Sequence, residues 1–159
     1  MNVMPHSTHI LLAVHDPDFA SLIQLGFQEI GILNPIHVVH DGQEAIRYLE
    51  GDLQYSDRAK FPVPALLFLD ARLRIISGFD VLQWTRGQPA LADIGIILFS
   101  SLGTQEDPKL ARELGADCFM DKPFDFQELL SAVERIAGSR LVTLNFYPRI
   151  SAGSTRAIP

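Results

Sequence analysis

Five short apolar runs punctuate the chain: Ile10 to Val14, Ile36 to Val39, Ala65 to Leu69, Ile94 to Phe99, and Cys118 to Met120. They are rich in Ile, Leu, Val and Phe and barely alternate, the pattern of strands buried on both faces. Between them, apolar residues recur at helical spacing. Phe19, Leu22, Ile23, Gly26, Phe27 and Ile30 share one face, and Gly31 can end that helix. Ala45, Ile46 and Leu49 make a second face, closed by Gly51. Phe79, Val81, Leu82 and Trp84 make a third, started near Ser77 and ended by Gly87 and Pro89. Leu110, Ala111 and Leu114 precede Gly115 in a fourth; Phe126, Leu129, Leu130, Val133 and Ile136 make a fifth, with Asp125 as N-cap. The order is β-α five times over. It predicts an α/β domain with a doubly wound, five-stranded parallel sheet, because each helix returns the chain to start the next strand in the same direction.

Two stretches break this rhythm. Residues 51 to 64, GDLQYSDRAKFPVP, read as a polar loop, long for an α-to-β connection. After residue 138 an apolar run, LVTLNFY, gives way to SAGSTRAIP, which has the composition of a flexible end. The expected division is a flexible arm over 1–7, one domain over 8–138, and an extension over 139–159.

Composition fits this picture. The chain has 159 residues, 47% of them hydrophobic and 20% charged, enough for one packed core without disulfides or a structural metal. Thirteen basic and 19 acidic residues leave a net charge of −6, which argues against a general affinity for nucleic acid or anionic membrane. No apolar run is long enough to cross a bilayer, and MNVMPHSTH does not read as a secretion signal, so a cytoplasmic location is expected. The single cysteine, Cys118, lies in an apolar stretch and is expected to be a buried structural thiol.

In an open parallel sheet, ligands gather at the carboxyl ends of the strands. Here those ends carry His15-Asp16, Asp70, Ser100-Ser101 and Asp121-Lys122-Pro123. A carboxylate, a hydroxyl and an ammonium converging from three strand ends suit a phosphoryl group. The carboxylate is the nucleophile, and the other two neutralise the incoming oxygens. Each residue alone has a plain reading as a cap or a solvated side chain; their conjunction carries the inference.

The motifs LLFLDARLRIISGFDVL, IILFSS and CFMDKPF resemble those of bacterial two-component receiver domains over about residues 8 to 137. The loop YLEGDLQYSDRAKFPVP and the stretch LVTLN are similar to single-domain regulators paired with cyanobacterial phytochromes. This resemblance implies a flavodoxin-like fold with strand order 2-1-3-4-5. It implies Asp70 as phosphoacceptor, Ser100 as the phosphoryl hydrogen-bond donor, Lys122 as its ion-pair partner, and Phe119 as an aromatic switch, against a plain reading of Phe119 as a core or surface aromatic. It also implies a cis peptide before Pro123 and a surface of helix four, strand five and helix five for output and homodimer formation. A sensor histidine kinase would be the phosphodonor, and the domain would not be an enzyme in its own right.

Mg²⁺ in this family needs two adjacent acids at the end of strand one. Aligned through LLAVHDPDF those positions are Val14 and His15, neither an acid. The metal ligands still on offer are Asp70 and, more weakly, the backbone carbonyl of Arg72, Asp16 and His15. His15 either faces solvent, binds a softer metal, or acts as a cation when protonated. The Arg72 guanidinium either points to solvent or folds back on Asp70. Arg74 stands where the family usually has proline.

Three functions compete. One is a switch driven by phosphorylation of Asp70. Another is a pseudo-receiver that signals by binding alone. The third, an aspartyl phosphatase, is disfavoured because Arg72 stands where such enzymes carry a second acid, and a DNA-binding role is disfavoured by the short acidic chain. Leu141 to Tyr147 could extend helix five, join a sheet edge or pack on a second copy.

Overall fold

The computed structural model describes residues 9–100, 108–121 and 125–139. Within them the chain forms β1 (Ile10–Ala13), α1 (Pro17–Glu29), β2 (Ile36–Val39), α2 (Gly42–Glu50), β3 (Leu66–Asp70), α3 (Gly78–Arg86), β4 (Gly95–Ser100), α4 (Pro108–Glu113), β5 (Cys118–Asp121) and α5 (Phe126–Ser139). The strands form one parallel sheet in the order β2-β1-β3-β4-β5. This is the doubly wound flavodoxin-like arrangement expected.

Side-chain alternation splits the interior into two layers. Leu11, Ala13, Leu67, Leu69, Ile96 and Leu98 face α2 and α3. Ile10, Leu12, Leu66, Phe68, Ile97 and Phe99 face α1 and α5. The strands of β1, β3 and β4 are buried throughout, which is why their sequences lack the polar alternation of a half-exposed sheet.

Helix starts are marked by side-chain caps. Asp16 accepts from the Asp18 N–H, Asp41 from that of Glu44, and Ser77 from that of Asp80. Asp125 and Glu128 form a reciprocal capping box at 2.8 and 3.1 Å. Gly51 closes α2 in a left-handed conformation, φ 73°.

The segment 51–64 is the long, largely exposed loop expected, with anchors the sequence did not reveal. Leu53–Tyr55 form a 3-10 turn, Tyr55 is buried, and Phe61 packs edge-on to both Tyr48 and Tyr55. Arg58 donates to the carbonyls of Tyr48, Leu49 and Phe61, capping the end of α2 and fixing the loop to it. Strand ends also shift by one residue: β1 stops at Ala13, and β3 includes Asp70. Cys118 is buried as expected, and burial pushes its thiol pKa up. Among the described residues no helix is long and apolar enough to cross a membrane.

Candidate functional site at the carboxyl end of the sheet

Asp70 is the last residue of β3 and only 4% exposed. Its Oδ1 accepts the Arg72 N–H at 2.9 Å, so the turn after the strand holds the carboxylate in place. The next residue, Ala71, donates its N–H to Phe99 of β4, and Gly78 donates back to the Ala71 carbonyl. The loop 71–77 is thus closed against Asp70 at both ends. A further bond, from the Gly42 N–H to the Arg74 carbonyl, ties this loop to the start of α2.

Ser100 ends β4 and is 3% exposed. Its hydroxyl donates to Oδ1 of Asp121 at 2.8 Å, a contact our reading of the sequence did not single out. The signal was present in the strand register: Ser100 and Asp121 are directly paired at the end of β4 and β5. Phe119, the expected switch residue, is half-buried on β5 and packs against the α2/α3 layer. Lys122 and Pro123 lie outside the described residues, as do the arm 1–7 and residues 140–159 of the extension.

The strand-one side carries little acid. Val14 is fully buried and donates its N–H to Val39, while His15 is exposed. Asp16 is exposed, and its Oδ1 accepts the Asp18 N–H as the N-cap of α1. The Arg72 side chain is exposed; the backbone N–H is what meets Asp70. Among the described residues, no group of three or more His, Cys, Asp or Glu side chains is gathered to hold a metal ion.

The family of response regulator receiver domains matches residues 10–134. The chain belongs to that family. The match spans every strand and most of α5, and the family is not one of catalytic enzymes. Among solved structures, the bacteriophytochrome response regulator AtBRR is 27% identical, with TM-score 0.75 over 91% of this chain and 100% of that one. The phosphorylated cyanobacterial phytochrome response regulator RcpA is 25% identical, with TM-score 0.69 over 87% and 98%. The transcriptional regulator RpaA of Synechocystis sp. PCC 6803 is 29% identical over 80% of this chain and 48% of its own length. The chain spans about half the length of most of the curated transcriptional regulators it matches.

The receiver is therefore part of two-component signalling, and its solved relatives include phytochrome-associated regulators. Receiver domains commonly bind Mg²⁺ or Mn²⁺ and interact with histidine kinases. The donors described here do not fit a hard divalent ion well. Such an ion favours several carboxylate oxygens, whereas Val14 offers none, His15 offers a nitrogen, and Asp16 is engaged as a helix cap.

Proposed function

We propose that this receiver accepts a phosphoryl group on Asp70 from a sensor histidine kinase and signals through altered protein contacts. The observation that supports it most is the buried carboxylate of Asp70 at the end of β3, one oxygen fixed by the Arg72 N–H, beside a β4 strand that ends in Ser100. Asp70 acts as nucleophile, Ser100 donates to a phosphoryl oxygen, and Lys122 balances its charge. Phe119 is the residue expected to change packing on activation. With the strand-one acids replaced, the transfer is slow relative to a receiver with a full metal site, because a bridging divalent ion offsets several kcal/mol of developing charge.

A second reading is favoured by Val14 and His15: a pseudo-receiver that keeps the fold and signals by binding alone. Incubation with acetyl phosphate and Mg²⁺, followed by intact-mass measurement, separates the two. The first reading expects one phosphoryl group added to the wild type and none to Asp70→Asn. An unmodified wild type after prolonged incubation leaves the second.

The receiver is also proposed to form a homodimer, through α4, β5 and α5 or through the extension after residue 138. Elution at the mass of one chain over a wide concentration range would contradict this.

A further inference from the structure

Ser100 and Asp121 are register partners on the last rung between β4 and β5. Paired residues of parallel strands project from the same face, so both belong to the row that holds Ile96, Leu98 and Phe119. The Ser100 hydroxyl is buried at the strand end and donates to Asp121 Oδ1 at 2.8 Å. A hydroxyl has one hydrogen to donate, and an ionised carboxylate only accepts. While Asp121 takes that hydrogen, none is left for an oxygen arriving at Asp70, which lies one rung earlier, opposite Phe99.

We propose that Asp121 is a positioning residue: it holds the Ser100 hydroxyl in the resting receiver and gives it up when Asp70 becomes phosphorylated. The inference rests on the phosphoacceptor reading above. In the transfer, an Asp70 oxygen forms a bond to phosphorus while the bond from phosphorus to the donor's oxygen breaks. The leaving group departs with that electron pair, as acetate when acetyl phosphate is the donor. No oxidant or reductant is involved. Ser100 exchanges only its hydrogen bond, from the Asp121 carboxylate to a phosphoryl oxygen, which carries more charge. Breaking the first bond is a cost paid at each transfer, so Asp121 slows phosphorylation.

The alternative is that the bond simply pins the end of β5 to β4, or that Asp121 acts as a bulk negative charge. Rates of adduct formation with acetyl phosphate, read by intact mass, distinguish these for wild type, Asp121→Ala, Asp121→Asn, Ser100→Ala and the Ser100→Ala/Asp121→Ala double variant. Asp121 is exposed, so its substitution spares the core. The latch predicts that Asp121→Ala reacts about tenfold faster than wild type, the factor set by losing one hydrogen bond to a charged group. Asp121→Asn, which keeps an acceptor oxygen, falls between the two. In the Ser100→Ala background, Asp121→Ala changes nothing. A rate for Asp121→Ala at or below wild type overturns the latch. So does an equal acceleration by Ala and Asn together with an Asp121→Ala acceleration that survives in the Ser100→Ala background, which is the signature of charge alone. An absence of adduct in all five proteins overturns the phosphoacceptor reading and the latch together, whereas an adduct without coupling overturns the latch only.

Discussion

The first residue of α3, Gly78, stands directly against the carbonyl of Asp70: a Cβ added there would lie 2.1 Å from that oxygen and 2.7 Å from the Cα of Ala71. Both neighbours are backbone and cannot rotate away. The close approach is what allows α3 to begin where the loop after Asp70 closes. Gly78→Ala is therefore expected to destabilise the fold by about 3 kcal/mol, at the upper end of overpacking costs. For a chain of this size that lowers the melting midpoint by roughly 10 °C. Thermal denaturation checks it, and a midpoint within a degree or two of wild type would show that the helix can shift without cost.

The same loop contains a conformation that its residue resists. Ile75 has φ 69° and is 72% exposed, and its neighbour Ile76 donates back to the Arg74 carbonyl at 2.7 Å. A β-branched residue in the left-handed region is strained, at a cost of order 1–3 kcal/mol. Little burial is lost on removing so exposed a side chain. Ile75→Gly is expected to stabilise by about 1 kcal/mol, after allowing for the greater freedom glycine gives the unfolded chain. Chemical denaturation would show a higher midpoint with unchanged slope.

Much of the fold was legible in the sequence because burial on both faces leaves little choice of residue. The runs around Leu12, Phe68 and Ile97 are apolar at every position, and the caps Ser77 and Asp125 and the stop Gly51 each solve a local hydrogen-bonding or φ problem that few residues can solve. The loop 51–64 was legible as a polar loop, but its anchors were not, because they depend on contacts far along the chain: Phe61 reaches Tyr48 and His37, and Arg58 reaches the end of α2. The candidate site was legible as a set of positions, since Asp70 and Ser100 follow directly on apolar runs that end at one edge of the sheet. The pairing of Ser100 with Asp121 was not, because it requires the register of two strands and not only their existence.

The missing strand-one acid can be put back where it costs least. His15 is exposed, whereas Val14 is fully buried and a carboxylate there would be desolvated. His15→Asp places a hard oxygen ligand at the end of β1, next to β3 in the sheet. On the phosphoacceptor reading, it should raise the rate of Asp70 phosphorylation by acetyl phosphate about tenfold, the equivalent of about 1.4 kcal/mol of barrier. The gain should vanish when Mg²⁺ is chelated. Equal rates for wild type and His15→Asp across a Mg²⁺ titration would mean that this position does not limit the chemistry.

At the opposite end of the sheet, His9 and His37 are stacked with ring centroids 5.0 Å apart, and Nδ1 of His9 lies 2.8 Å from Nε2 of His37. The His37 ring also packs against Tyr48 and Phe61. Burial lowers the pKa of both imidazoles, and for His37 the neighbouring His9 lowers it further. The unfolded chain, with histidines near 6.5, then binds more protons than the folded one at mildly acidic pH. The stability contributed by this pair is present above about pH 6.5 and is lost as pH falls from there through the lower folded values. Melting midpoints measured from pH 8 to pH 5 should therefore decline on the acid side. In His37→Phe, which keeps an aromatic ring against Tyr48 and Phe61, the decline should be shallower, so that the variant gains on wild type as pH falls. Parallel curves for the two proteins would place the acid sensitivity elsewhere in the chain.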